Sequence, residues 1–571
     1  MARRGSSGDP TDWVTRAADD AIRHAGEGNL VTCASGISPS GPIHLGNLRE
    51  FLSVHFVADE IQRRGVPVRH LQSWDDFDRF RKVPHGVDES WNDHIGRPLS
   101  AVPDPWECHP SWAEHFKAPL RDALRELGCT MVEIDQAEMY TSGAYRDQVL
   151  EVVARRHEID EVLDRYRTKK AISTDSDEEA AAYADSVAFD EDDAGDAGED
   201  DAADDLRNFP YKPYCRQCQR DLVTLTSYDD ETTDLAYVCR ACDFSGVTNL
   251  STQFEGKLVW KIDWPMRWAY EKVDFEPAGA DHASPGSSFT VGHELVEKIW
   301  AWPRPTWFRY SFVGFAGMTK MSSSKGGVPT AADALEVLEA PLLRWLYVRR
   351  QPKQAFDIDF GPEVVRLYDE WDALTRKAAD PAKRDVQVLA WERASATAAA
   401  GRLPTPEVVV PFRVLSSVAD VTAGSAEQIS RIVSEVGHAH DSVAQLEPRL
   451  SRAMNWVAGY VPAEERTLVR DAPDSELLAG LSERESQWLD LLGEGLSEAG
   501  DLESVTALVY GVPKLARGLA VDAAPTDEVK ADQKEFFRLL YRLLVGAERG
   551  PRLPTLIMAL GTDRVRSLLA R

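Results

Sequence analysis

Hydrophobic positions in the first part of the chain follow two periods in turn. Apolar and β-branched residues run together over 30–33 and again over 66–71, while between these runs apolar residues recur every three or four positions over 44–63. Short apolar runs predict buried strands, and the three-to-four spacing predicts a helix with a buried face. A strand, a helix and a strand in this order predict a βαβ unit, and therefore a parallel sheet with a right-handed crossover.

Similar patterns resume after residue 257 and then give way to helices. Apolar runs at 258–262 and 307–315 predict two strands on either side of a helix at 289–301. Beyond residue 341 apolar residues at helical spacing dominate, which predicts an α-helical bundle with a solvated surface. The segments that carry this spacing are 364–400, 408–423, 425–460, 476–498, 502–523 and 527–548.

Length and charge limit the kind of protein that this chain can be. The chain has 571 residues and a formal net charge of −29. One hydrophobic core rarely serves so long a chain, so we expect about two to four domains. So acidic a protein repels nucleic acid unless its basic residues are gathered on one face or salt screens its charge. Of these explanations we favour the second, which implies a halophilic source. The sequence has no apolar stretch long enough to cross a membrane and no signal peptide at 1–15, so we expect a cytoplasmic protein.

Residues 171–208 differ from the rest of the chain. Fifteen aspartates and glutamates lie between Asp175 and Asp205, with no lysine or arginine among them. Like-charge repulsion and little apolar area predict a disordered, extended segment without a catalytic role. The segment supplies about half of the net charge of −29, so the remainder is less hostile to RNA than the total suggests.

Two Cys-x-x-Cys pairs form the strongest local signal. Twenty residues separate the pairs, and they include two strand-like runs, 222–228 and 235–238, that predict a hairpin. Four thiolates at this spacing predict a closed, structural zinc site of the zinc-ribbon type. Redox disulfides or an iron–sulfur centre are the alternatives. The candidate ligands are Cys215, Cys218, Cys239 and Cys242.

A second group of metal-ligating residue types lies between the predicted halves of the α/β region. Cys108, His109 and His115 are close in sequence, and Asp93 precedes them. Their spacing is not a recognised zinc pattern. The sequence therefore leaves two interpretations open, a second metal site or the packing of aromatic and histidine side chains in an inserted region.

Two separate stretches carry the candidate chemistry. Residues 38–47 join a predicted strand to a helix N-terminus, where backbone N–H groups and the helix dipole favour an anion. His44 and Asn47 are three apart, so both side chains lean over that site. Lys320 and Lys325 lie in a loop of serines and glycines that can close over a triphosphate. The first stretch alone is equally compatible with an ordinary strand-to-helix turn.

The two stretches together resemble the His-x-Gly-His and Lys-Met-Ser-Lys-Ser signatures of class I aminoacyl-tRNA synthetases. Here they read His44-Leu45-Gly46-Asn47 and Lys320-Met321-Ser322-Ser323-Ser324. Asn47 replaces the second histidine, and Ser323 replaces the second lysine, with Lys325 two residues further on. These departures, together with the sequences at 74–84, 263–268 and 275–282, are similar to the class I lysyl-tRNA synthetases of archaeal type. The resemblance covers roughly residues 30–350.

The resemblance implies a fold class and a division into domains. The implied fold is a Rossmann-like α/β catalytic domain with an inserted zinc-ribbon region, followed by an all-α C-terminal anticodon-binding domain. The implied parts are a first catalytic half at 1–82, a connective insertion at 83–256 with the acidic segment 171–208 and a zinc ribbon at 211–246, a second catalytic half at 257–350, and the helical domain at 351–571.

The resemblance also implies the residues that bind substrates. His44, Asn47 and Lys320 are the implied catalytic residues, because they stabilise the phosphates of ATP. The implied ATP-binding residues are Pro39, Gly41, His44, Gly46, Asn47, Lys320, Met321, Ser322, Ser323, Ser324 and Lys325. The implied lysine-binding residues are Gly36, Ser38, Trp74, Asp75, Trp268 and His282. The acidic residues at 75–78 also fit a solvated loop, and Trp268 also fits the core.

The implied reaction has two steps. The lysine carboxylate attacks the α-phosphate of ATP to give lysyl-adenylate, and the 2′-hydroxyl of the terminal adenosine of tRNA(Lys) then takes the lysyl group. ATP, Mg²⁺ and a structural Zn²⁺ are the implied cofactors, L-lysine and tRNA(Lys) are the substrates, and we expect a monomer. The alternatives are a glutamyl class I synthetase, which the acidic residues at 75–78 disfavour, and a tRNA-binding protein without catalysis.

Overall fold

A computed structural model of the chain describes residues 10–84, 86–170, 206, 208–280, 282–283, 287–316, 328–422, 424–462, 466–467 and 469–570, without the side chains of 167–170 and 427. Almost all of the acidic segment and the whole of 320–325 therefore lie outside the described residues. Among the described helices, none has both the length and the apolar character that crossing a membrane requires.

The chain divides into two compact units. The first comprises Met1–Ala334, Ala340–Ile358 and Lys377–Leu403, and the second comprises Leu335–Glu339, Asp359–Arg376 and Pro404–Arg571. This division differs from the predicted domain limit at 350, because residues 377–403 pack with the first unit.

The described strands all belong to the first unit. They are β1 (Val31–Ile37), β2 (Val68–Trp74), β3 (Val132–Asp135), β4 (Tyr211–Pro213), β5 (Val223–Tyr228), β6 (Asp234–Cys239), β7 (Ser245–Asn249), β8 (Gly256–Leu258), β9 (Ala278–Gly279), β10 (Arg309–Tyr310), β11 (Val313–Phe315), β12 (Phe356–Ile358), β13 (Ala396–Thr397) and β14 (Gly401–Arg402).

The described α-helices are distributed over the whole chain. They are α1 (Trp13–Ala25), α2 (Leu45–Arg63), α3 (Trp112–Glu126), α4 (Gln136–Thr141), α5 (Arg146–Ala154), α6 (Arg156–Lys170), α7 (Trp260–Glu271), α8 (Ser288–Trp300), α9 (Ala331–Val337), α10 (Ala340–Val348), α11 (Glu363–Ala378), α12 (Val386–Ser395), α13 (Phe412–Val421), α14 (Ala426–Glu435), α15 (Arg449–Tyr460), α16 (Ser475–Ala479), α17 (Glu483–Leu496), α18 (Leu502–Leu515), α19 (Asp527–Val545), α20 (Leu553–Leu560) and α21 (Thr562–Leu569).

A parallel sheet forms the centre of the first unit. β1, β2 and β3 pair in that order. On the other side of β1, parallel bridges join Cys33 to Phe275 and Phe275 to Thr306, and β9 pairs with β10. The chain therefore leaves β1 towards β2 on one side and returns on the other side at 275–279. In open parallel sheets ligands bind beyond the carboxyl ends of the strands at such a point.

Helix α2 confirms the helix predicted at 44–63. His44 precedes it in an extended conformation, and the His44 N–H donates to Asn47 Oδ1 at 3.1 Å. Phe51, Phe56 and Ile61 are among its many buried residues, because α2 packs against β1 and other elements of the first unit. This burial fixes the start of α2 beside the carboxyl end of β1.

Two predicted strands of the second half are wrong in extent or type. The sequence predicts a strand over 258–262, but β8 ends at Leu258 and helix α7 begins at Trp260. A short apolar run fits a buried helix as well as a strand, and in α7 Ile262 and Met266 are buried four residues apart. The run at 307–315 forms two short strands, β10 and β11, instead of one.

The region with the four paired cysteines is a small β-structure. β5, β6 and β7 form an antiparallel sheet, and β4 pairs with β8. The predicted hairpin is therefore confirmed, with a third strand added. Tyr237 is buried with Cys215 and Cys239, and Phe244 packs against them. Tyr211, Tyr214 and Leu235 of this region lie in a larger core of the first unit.

The second unit, as far as it is described, consists of helices and contains no strand. Trp488, Val509, Phe536 and Leu540 lie in its main hydrophobic core. The segment predicted to be helical at 364–400 is interrupted by β13, which belongs to the first unit and forms a hairpin with β14. Gly401 permits this hairpin because its φ is 71°.

Candidate active site

A cavity of about 530 Å³ lies where the chain returns beside β1. Its lining comes from the end of β1, the start of α2, helix α7 and the segment 275–279. Of the predicted site residues, nine line this cavity: Gly36, Ser38, Gly41, His44, Gly46, Asn47, Asp75, Trp268 and His282. The sequence signals from both predicted catalytic halves therefore converge on one cleft.

One wall of the cavity is the turn into α2. His44 is 9% exposed, and burial lowers its pKa to about 4, so the imidazole is neutral at pH 7. Its Nδ1 has no hydrogen-bond partner among the described residues. Asn47 uses its Oδ1 to accept the His44 N–H, so its amide NH₂ can donate to a ligand. A helix N-terminus with these two side chains is suited to bind a phosphate.

The loop with Lys320 and Lys325 lies outside the described residues, and so do Met321, Ser322, Ser323 and Ser324. The residues on both sides of it are described. Val313 and Gly314 precede the loop and line the cavity. Thr330 follows the loop and forms a bridge with His44, and Leu45 N–H donates to the Pro329 carbonyl at 3.0 Å. Both flanks of the loop thus lie at the His44 side of the cavity.

A carboxylate that the sequence analysis missed, Glu50, lines the same cavity one turn of α2 after Asn47. Glu50 Oε1 accepts the Gly36 N–H at 2.9 Å, and Glu50 Oε2 accepts the Tyr310 hydroxyl at 2.9 Å. Burial raises the pKa of Glu50 to about 8. Its position in α2, one residue before the buried Phe51, is the signal that could have revealed it, since charged residues on a buried helix usually have a specific partner.

Two tryptophans and a second carboxylate form the next part of the lining. Glu276 accepts the indole N–H groups of Trp264 at 2.8 Å and Trp268 at 2.6 Å. Burial raises the pKa of Glu276 to about 7. His282 lies 5.7 Å from the Trp264 ring, measured between ring centroids. The predicted residues Trp268 and His282 are thus in one aromatic wall that Glu276 holds in place.

Asp75 lines the cavity but already has a cationic partner in the protein. Arg267 Nη1 donates to Asp75 at 2.6 Å, and Arg267 Nη2 lies 3.0 Å from Asp263. Burial raises the pKa of Asp75 to about 6, although Arg267 opposes the shift. Asp76 pairs with Lys117 at 2.7 Å. The acidic residues at 75–78 are therefore part of a buried ion-pair network and do not form a solvated loop.

Trp74 and Pro39 are predicted site residues that do not line the cavity. Trp74 is fully buried, and its indole N–H donates to Glu133 at 2.7 Å. The physical reason is strand alternation: successive side chains of β2 point to opposite faces of the sheet, so Ser73 reaches the cavity and Trp74 does not.

The four paired cysteines meet at one point. Cys215 Sγ lies 3.7 Å from Cys242 Sγ, and Cys218 Sγ lies 3.6 Å from Cys239 Sγ. Four sulfurs around zinc at a Zn–S distance of about 2.3 Å are about 3.8 Å apart, so the group has the size of a tetrahedral zinc site.

The second group of candidate metal ligands also comes together, with one change of member. Cys108 Sγ lies 3.1 Å from His109 Nδ1 and 3.3 Å from His115 Nδ1. The carboxylate in the cluster is Asp104, whose oxygen lies 3.3 Å from His115 Nδ1, whereas Asp93 is not a member. Four ligands of these three types suit zinc.

Comparison with known proteins settles the family. The family described as tRNA synthetases class I (K) matches residues 11–396. The chain belongs to this family of class I lysyl-tRNA synthetases. The prediction of the family from the two signatures is confirmed.

Two relatives match the chain over nearly its whole length. The lysine–tRNA ligase of Streptomyces coelicolor is 52% identical and covers 99% of this chain and 99% of its own. The lysine–tRNA ligase of Thermococcus kodakarensis is 32% identical and covers 97% and 98%. Because the more similar of these two comes from a bacterium, the expected archaeal, halophilic source is not supported.

A solved structure has a weaker similarity. A glutamate tRNA ligase from Elizabethkingia meningosepticum, in complex with its amino acid, covers 94% of this chain and 98% of its own, with 13% identity and a TM-score of 0.41. A similarity at this level supports no conclusion about substrate.

Proposed function

We propose that the chain is a lysine–tRNA ligase that activates lysine with ATP and transfers it to tRNA(Lys) at the cavity described above. The observation that carries the proposal is that one cavity combines two chemistries. A helix N-terminus with His44 and Asn47 suits phosphates, and carboxylates, among them Glu50, suit an ammonium group.

ATP occupies the His44 wall in this proposal. The neutral imidazole of His44 and the amide of Asn47 donate hydrogen bonds to the phosphates, and the α2 N-terminus adds its dipole. Lys320 and Lys325, by resemblance, neutralise the charge that develops as pyrophosphate leaves. ATP enters as its Mg²⁺ complex, in which the ion offsets phosphate charge. The remaining implied contacts, from Gly41 and Gly46 and from residues 321–324, follow the resemblance.

Lysine occupies the part of the cavity beside Glu50 in this proposal. Glu50 is ionised when an ammonium group binds it, since the two opposite charges stabilise each other in a site of low dielectric. Trp268 and His282 line the aliphatic part of the substrate, and Gly36 and Ser38 border it. Glu50, once ionised, attracts an ammonium group and repels a carboxylate, so it favours lysine over the glutamyl alternative.

Neither step requires a protein nucleophile. The lysine carboxylate attacks the α-phosphate to give lysyl-adenylate, and the 2′-hydroxyl of the terminal adenosine of tRNA(Lys) attacks the acyl carbon and releases AMP. The protein contributes by holding the reacting groups in contact and by stabilising the developing charge.

The proposal includes two structural zinc ions in the first unit. The first is held by Cys215, Cys218, Cys239 and Cys242, and the second by Asp104, Cys108, His109 and His115. Both sets supply four protein ligands, so neither leaves an open position for catalysis, and both ions are structural. The sulfur-rich ribbon has few apolar residues of its own, which agrees with a metal-dependent fold.

The helical part of the chain carries the remaining proposals. By resemblance, the domain predicted at 351–571 binds the anticodon, and the domain limits at 82, 256 and 350 stay predictions. A monomer in the cytoplasm also stays a prediction. An archaeal or halophilic source forms no part of the proposal.

The test is the exchange of pyrophosphate into ATP, measured separately with each of the twenty amino acids. We expect exchange with lysine alone. Exchange with glutamate would establish the glutamyl alternative. No exchange with any amino acid, in protein that binds tRNA, would establish the non-catalytic alternative.

A further inference from the structure

The loop between β1 and α2 comprises residues 38–43, of which Pro39, Gly41 and Ile43 are buried; we call it the nucleotide loop. It forms no backbone-to-backbone hydrogen bond with any described residue. Side chains supply two hydrogen bonds: Ser38 Oγ donates to the Asp75 carbonyl at 3.5 Å, and Trp112 Nε1 donates to the Ser40 carbonyl at 3.2 Å. The first bond is at the limit of hydrogen-bond length, so the bond from the Trp112 indole is the better formed of the two.

Trp112 has its own position fixed independently of the loop. It is the first residue of α3, its side chain is fully buried, and its N–H donates to the Val102 carbonyl at 2.8 Å. Its ring packs against Phe80 at 4.8 Å and Phe116 at 5.3 Å between centroids. A donor fixed in this way can hold a loop that has no regular structure of its own.

We propose that Trp112 is a positioning residue for ATP, acting through the Ser40 carbonyl on the nucleotide loop. The inference rests on the proposed function, since it assumes that the ATP phosphates lie against this loop and the start of α2. Trp112 touches no reacting atom. Without its N–H the Ser40 carbonyl loses this partner, and the loop is no longer held in place. A displacement of the loop misplaces the phosphates but leaves Glu50, which is held by Gly36 and Tyr310, in position.

The test compares Trp112→Phe with Trp91→Phe. Trp91 packs against the same small core, and its Nε1 donates to the Pro103 carbonyl at 3.2 Å, but it does not contact the nucleotide loop. Both variants lose one indole donor and the same side-chain volume. In pyrophosphate exchange we expect Trp112→Phe to raise the KM for ATP about tenfold, with the KM for lysine unchanged. We expect Trp91→Phe to leave both KM values unchanged.

Several outcomes would overturn the inference. A KM for ATP within twofold of wild type in Trp112→Phe would do so, and so would equal rises in both KM values, which a general loss of structure produces. If Trp112→Phe does not fold, Trp112→His keeps a ring N–H and should give a lower KM for ATP than a Trp112→Leu variant. If none of these variants folds, Trp112 is a core residue only. Absence of exchange in the wild-type enzyme would instead refute the proposed function, and the two failures are therefore distinct.

Discussion

The buried carboxylate of Glu50 gives the sharpest prediction, because its protonation controls whether the cavity can accept a cation. Its pKa of about 8 means that roughly a tenth of the enzyme has Glu50 ionised at pH 7. Ionisation must precede or accompany the binding of an ammonium group. At pH 7 this step costs about 1.4 kcal/mol, one pKa unit.

The sign and size of the pH effect follow from the same value. Because the pKa is raised, the ionised form is scarce at low pH and abundant above pH 8. The ionised fraction rises from about 1% at pH 6 to about half at pH 8, so the KM for lysine should fall about 50-fold over this range. The KM for ATP, whose phosphates bind at the N-terminus of α2 in this proposal, should change less and serves as the internal reference.

Replacing the carboxylate tests the cause of the effect. Glu50→Gln keeps the size of the side chain but removes the charge, and loss of one partner of a buried charge pair costs about 2–5 kcal/mol. That cost corresponds to a loss of about 30-fold to several thousand-fold in kcat/KM for lysine at pH 8. The pH dependence of the KM for lysine should disappear with it. Glu60→Gln is the matched control, since Glu60 is on the same helix but does not line the cavity.

The assay is pyrophosphate exchange with lysine and ATP varied in turn, from pH 6 to 8, for wild type and both variants. A wild-type KM for lysine that stays constant from pH 6 to 8 would show that ionisation of Glu50 does not control lysine binding. The same conclusion would follow if Glu50→Gln kept a wild-type kcat/KM for lysine, or if Glu60→Gln lost as much.

Three further predictions concern the phosphates and the metals. His44→Ala should lower kcat for exchange about 100- to 1000-fold with little change in the KM for lysine. A rise in the KM for lysine as large as the fall in kcat would contradict the placement of His44 at the phosphates. Lys320→Ala should slow adenylate formation far more than it weakens lysine binding, as measured by single-turnover kinetics and calorimetry; an unchanged rate would remove its role. Elemental analysis should find two zinc ions per chain in wild type and in the control Cys129→Ser. It should find one in Cys218→Ser and one in Cys108→Ser, and both of these variants should melt at a lower temperature. Two zinc ions in Cys218→Ser or in Cys108→Ser would contradict the assigned ligands.

The parts of the fold that the sequence predicted are those where local pattern and packing agree. The βαβ unit and helix α2 were predictable because their apolar residues follow a single period over a whole element. Helix α7 was not, because its first residues form a short apolar run that suits a strand equally well. The hairpin near the paired cysteines was predictable because metal spacing and strand alternation coincide there.

The site residues also divide into those that a sequence pattern reveals and those that only the fold reveals. His44 and Asn47 were found because a motif carries them, and the cavity places them together. Glu50 was missed because no motif carries it and only its burial reveals it. Asp104 was missed in favour of Asp93, although Asp104 is nearer in sequence to Cys108 and His115 and belongs to the same turn. Trp74 was misassigned because the facing of a strand residue depends on register, which a short run does not fix.

The most direct test of the central claim is a crystal structure of the enzyme with a non-hydrolysable analogue of lysyl-adenylate. We expect the phosphate surrogate to contact His44 and the start of α2, and an ammonium group of the lysyl part to lie within hydrogen-bond distance of Glu50. An analogue bound elsewhere, or one whose ammonium groups both lie away from Glu50, would contradict that claim.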